Sequence, residues 1–124
     1  MAKSAMIIGS SHLSYRVKAM LETKGYEAVH LHKALSDEPE YAVNSIATSL
    51  TNMDLSRLAM IYVLHEEDEK NLATVMALIA LQPDIPITTT LFNENIRAHL
   101  QAAHKKLTII NTARLAAAAF VEAL

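Results

Sequence analysis

At 124 residues, with 52% hydrophobic and 19% charged side chains, the chain suffices for one domain around one core and is too apolar to stay disordered. A net charge of −2 gives no electrostatic case for nucleic acid or an anionic membrane surface, and the lack of cysteine excludes disulfides and thiolate metal centres. No apolar run approaches the roughly 20 residues of a membrane span, and the amino-terminal apolar run is too short for a signal peptide.

The first apolar run, residues 5–10, reads as a strand. Residues 14–24 carry Val17, Met20 and Leu21 at helical spacing, and Gly25 closes that helix. Residues 27–33 alternate loosely and read as a second strand. Asp37 is positioned to cap a helix entered at Pro39 and running to about Leu50. Residues 59–64, "AMIYVL", are continuously apolar, as in a strand buried on both faces. Glu66, Glu67, Asp68 and Glu69 then place acid at a helix start, where the helix dipole favours it, and residues 71–81 continue as a strongly apolar helix. A strand over 87–92, a helix over 95–104, a strand over 107–111 and an alanine-rich helix over 113–124 complete the chain.

Alternating strands and helices predict an α/β fold: a doubly wound, Rossmann-like, parallel five-stranded sheet with helices on both faces and strand order 2-1-3-4-5. Such sheets bind ligands beyond the carboxyl ends of their strands, near the point where strand order reverses. The residues expected there are Gly9, Ser10, Ser11, His12 and Ser14, then His32 and Lys33, His65 and Asp68, Thr90 and Asn111. The turn "IIGSSHLSY" has the position of a dinucleotide-binding G-x-G-x-x-G, with Gly9, Ser11 and Ser14 in the three glycine places. Its plainer reading is a tight strand-to-helix connection with Ser14 as the helix cap.

The stretch "VLHEEDEKNLATVMALIALQPDIPITTTLFNE" resembles the RCK domain (regulator of K+ conductance, also called the TrkA-N domain). The likeness rests on Asp68, Glu69, Asn71 and Leu72, which match that family's acidic D-D-E-x-N-L helix start, and on Pro83, Asp84 and Ile85. The tail "TIINTARLAAAAFVEAL" is similar to the family's strand followed by N-P-A-x-x-A-A, and residues 67–72 with 111–117 are the most specific part. The resemblance implies one RCK-like domain over residues 1–124, a fragment of a larger membrane transport protein. It implies a non-enzymatic regulator of a bacterial potassium channel or K+ transporter at the cytoplasmic face of the inner membrane. The partners expected are a membrane pore domain and further copies of the chain, in a dimer or ring built through the last two helices, where Leu115, Phe120, Val121 and Leu124 add apolar surface.

Any cofactor implied by the resemblance is NAD or an adenine nucleotide, and the departures from the family pattern weaken or abolish its binding. Ser11 adds a side chain where a second glycine lets the backbone approach a pyrophosphate. The family's ribose-holding acid aligns with His32, followed by Lys33, and neither is a carboxylate acceptor. Thr90 stands where the family often has arginine.

Two other classes fit the topology. An NAD(P)-linked oxidoreductase fragment would need a substrate domain, which nothing in the sequence supplies. A receiver-like signalling module would need acids after the first strand, an aspartate after the third and a lysine after the fifth. Ser10, Ser11 and His12, then His65, then Asn111 and Thr112, stand in those places. His12, His32 and His65 with Glu66 and Asp68 form the one imidazole–carboxylate set that strand ends would gather. They lack ligand-like spacing, and no metal is expected. No nucleophile elbow or cysteine nucleophile is present.

Overall fold

A computed structural model describes residues 3–31, 46–48, 50–51, 56–81, 84–91, 98, 102 and 106–110. In chain order these form β1 (Ser4–Ile8), α1 (His12–Thr23), β2 (Glu27–Leu31), β3 (Leu58–Val63), α2 (Asp68–Leu81), β4 (Ile87–Thr90) and β5 (Leu107–Ile110). The strands make one parallel sheet of order β2-β1-β3-β4-β5, as the alternation of elements predicts. The predicted helices over 39–50 and 95–104 are represented by helical residues 46–48, 50–51, 98 and 102, while the closing helix over 113–124 lies outside the described residues.

The middle of the sheet is buried because apolar side chains leave both of its faces. Every residue of β1 is buried. Met6, Ile8, Ile61, Val63, Ile87, Leu107 and Ile109 pack on one face with Val75 and Leu78 of α2 and with Ile46 and Leu50. Ala5, Ile7, Tyr62 and Leu64 pack on the other face with Val17 and Leu21 of α1. The division follows from right-handed crossovers: β1 to β2 runs opposite to every later step along the sheet, so α1 falls on the opposite side from α2. Burial also pushes the Tyr62 phenol well above its usual pKa, reinforced by the nearby Tyr26.

Helix α1 begins two residues before the predicted start. Its cap is Ser11, whose extended backbone (φ −69°, ψ 161°) and side chain accept the first turn, and Ser14 sits inside the helix. At the other end Gly25, at φ +93°, follows the Lys24 cap; its amide donates to the Glu22 carbonyl and that of Tyr26 to the Leu21 carbonyl. That is a Schellman closure, and it satisfies carbonyls that the helix end leaves without partners.

Candidate functional site

The strand order reverses between the carboxyl ends of β1 and β3, and the end of β4 lies next to that of β3. β1 ends at Ile8 and runs into Gly9, which adopts φ +142°, a backbone conformation that side chains resist. A Cβ there would overlap the Leu64 carbonyl and stand 2.9 Å from the His65 amide nitrogen. Gly9 therefore lets the first strand turn away while lying directly on the backbone that leaves β3. The ladder holds both chains in place: the Leu64 amide donates to the Ile8 carbonyl at 2.8 Å and the Gly9 amide to the Leu31 carbonyl at 3.0 Å.

Ser11 fills the space next to this contact. Only 8% exposed, its hydroxyl donates to the Leu64 carbonyl at 2.6 Å and accepts from the Ser14 amide at 3.2 Å. The Ser14 hydroxyl is itself buried and donates back to the Ser11 carbonyl at 2.6 Å. A serine hydroxyl has one proton, so Ser11 has none left for a ligand phosphate; the oxygen beside the helix terminus offers only acceptor character. The geometry commits that proton to the protein.

Asn71 holds the neighbouring strand ends, those of β3 and β4. It is 1% exposed, and its side-chain carbonyl accepts from the His65 amide at 2.7 Å. Its Nδ2 donates to the His65 carbonyl at 3.1 Å and the Thr90 carbonyl at 2.9 Å, with the Thr90 hydroxyl 3.3 Å away. One amide thus ties the first turn of α2 to the ends of two adjacent strands, using its acceptor and both donor protons. The Thr89 hydroxyl donates to the Val63 carbonyl at 2.9 Å, a further link between those strands.

His65 lies inside this clasp, 7% exposed, with its Nε2 3.1 Å from the Thr74 hydroxyl. Burial, then the Lys70 ammonium, lower its pKa to about 4, against a smaller opposing effect of Glu67. The neutral ring is the form the fold accepts. Stability is therefore complete above the ordinary histidine pKa of 6.5 and falls as pH drops from there towards 4, because the unfolded chain takes the proton first. The loss amounts to about 3 kcal/mol at most. Urea unfolding of wild type and His65→Gln across this pH range should show a much shallower acid loss in the variant. Equal slopes would remove His65 as the cause.

His30 Nε2 lies 2.7 Å from the Gly9 carbonyl, and since a carbonyl only accepts, the ring carries its proton there. The Tyr15 ring meets His30 edge-on at 4.8 Å between centroids. Alternation along β2 places His30 on the α1 side, level with Ile7 of β1.

Of the expected site residues, Gly9, Ser11, Ser14, His65 and Thr90 come together at the strand ends. Ser10 and His12 are exposed, and Asp68 is half-buried at the start of α2. His32, Lys33 and Asn111 lie outside the described residues. Among the described residues no cluster of three His, Asp or Glu side chains could hold a metal ion, and no helix is long and apolar enough to cross a membrane. The chain defines a doubly wound Rossmann-like α/β domain. No protein-family model matches it, and no curated protein does.

Proposed function

We propose that the chain is an RCK-type regulatory domain serving a bacterial potassium channel or K+ transporter at the cytoplasmic face of the inner membrane. The observation that carries this reading is Asn71. It belongs to the stretch that resembles the RCK domain, and its side chain clasps the β3 and β4 ends beside the β1/β3 reversal where ligands of this fold sit. The burial of this polar side chain, beside the apolar core face of α2, is thereby accounted for by the strand ends it joins.

The committed Ser11 proton favours a domain that works by assembly over one that senses a dinucleotide. Copies of the chain pair or form a ring, and movement between them is transmitted to a membrane pore. A ligand or partner shifts that arrangement only through its differential affinity for the two states. Sedimentation equilibrium should find a dimer or larger species, and Phe120→Glu in the closing segment should reduce it to a monomer. A wild-type chain that stays monomeric at high micromolar concentration would contradict assembly through that segment.

A further inference from the structure

We propose that His65 is an acid-sensitive pin: on taking up a proton it releases the first two turns of α2 from the ends of β3 and β4 while the rest of the sheet stays folded. Those turns, residues 68–74, have two buried side chains, Asn71 and Thr74, and both bond to His65. Asn71 takes its main-chain amide and carbonyl, and Thr74 its ring nitrogen Nε2. Leu72 reaches the core from the same turns but is only half-buried. From Val75 onward the helix is held differently, by Val75 and Leu78, both fully buried in the apolar cluster. Polar attachment gives way to apolar attachment at Val75, and a charge on His65 strikes only the first kind.

The surroundings of the ring leave a second proton without a place. Among the described residues the Thr74 hydroxyl is the ring's one hydrogen-bond partner. Histidinium carries two N–H donors, so one of them lacks an acceptor at a residue only 7% exposed. The charged groups that act on the ring are Lys70, which opposes an added positive charge, and Glu67, whose carboxylate is exposed and pairs with the Lys70 ammonium at 3.8 Å. Glu66 and Glu69 are exposed, and Asp68 is half-buried at the helix start. The strand ends packed against His65 bring no charge: that of β1 supplies Gly9, Ser10 and Ser11, and that of β4 supplies Thr89, Thr90 and Leu91. Lifting the two turns lets water reach the ring and restores its ordinary affinity for a proton, which burial lowers. The release depends on the clasp alone and is independent of what the domain assembles with.

Hydrogen exchange of wild type and His65→Gln between neutral pH and about pH 4.5, corrected for the intrinsic pH dependence of exchange, tests it. The His65 amide, bonded to Asn71, and the Thr74 amide inside α2 report the release, and the Ile7 amide in the middle of the sheet reports global unfolding. Below pH 6.5 the opened form binds one more proton than the closed form. Protection of the His65 and Thr74 amides should therefore fall about tenfold per pH unit, with little dependence on dilute urea. Ile7 should stay about tenfold or more better protected throughout, with the steep urea dependence of global unfolding. His65→Gln should lose the pH dependence of the Thr74 amide. Equal protection of Ile7 and Thr74 at every pH would overturn the proposal, as would an acid response that His65→Gln retains. Should the variant fail to fold, wild type decides: a His65 amide whose protection holds constant, or falls only in step with Ile7, would overturn it.

Discussion

Gly9→Ala is expected to destabilise the fold by about 4 kcal/mol, combining backbone strain of about 1–3 kcal/mol with a similar overpacking cost. Both contributions follow from one position. At φ +142° the added methyl group is disfavoured by its own backbone, and it is driven into the Leu64 carbonyl. That obstacle is main chain in a parallel ladder, fixed by the 2.8 Å bond from the Leu64 amide to Ile8, so it cannot swing aside as a flexible side chain would. Gly25→Ala is the matched control. Its φ is also positive, at +93°, but nothing lies within 4 Å of the added Cβ, so only strain of roughly 1–2 kcal/mol remains. Urea unfolding should rank the two variants far apart. Equal losses would show that the close approach of β1 to Leu64 contributes nothing. A bulky residue at position 9 thus reports on folding and cannot serve as a probe of ligand binding.

Asn71→Leu is expected to cost about 3–5 kcal/mol, since each buried group left without a partner costs about 1–3 kcal/mol. Leucine fills a similar volume but leaves the His65 amide, the His65 carbonyl and the Thr90 carbonyl without the partner they have now. Asn71→Asp is more informative because it is nearly isosteric. The carboxylate still accepts from the His65 amide, yet it turns an anionic oxygen towards two carbonyls that had received protons. It should destabilise at least as much as leucine. Thermal unfolding at neutral pH checks both, and a loss below about 1 kcal/mol in either would contradict the clasp.

The sheet could be read from the sequence because its cause is local. Strands such as 59–64 are apolar on both faces, and helices intervene between them, which leaves a parallel, doubly wound arrangement as the economical solution. Strand ends were less legible: β1 stops at Ile8 and not at residue 10, because the Gly9 turn ends the pairing. The helix start was misplaced for a related reason. Ser11 and Ser14 are equally good caps by residue type, and the choice between them is made by a contact with Leu64, far away in sequence. That same contact decides whether the Ser11 hydroxyl is offered to a ligand. Asn71 was visible as part of a motif, but its work lies in the strand ends it joins, which only the folded chain brings within reach. The sequence places His65 at the carboxyl end of a strand, among the crevice positions. Its burial against Thr74 turns it into a neutral structural group whose protonation the fold resists.

The Ser11 hydroxyl closes this turn from within the chain, and titrating the wild-type domain with NAD while following its backbone amide resonances checks that. The Ser11, Ser14, Leu64 and His65 amides should stay where they are up to millimolar NAD. A saturable shift of those amides would contradict it, showing that the turn opens for a dinucleotide despite the bond from Ser11 to Leu64.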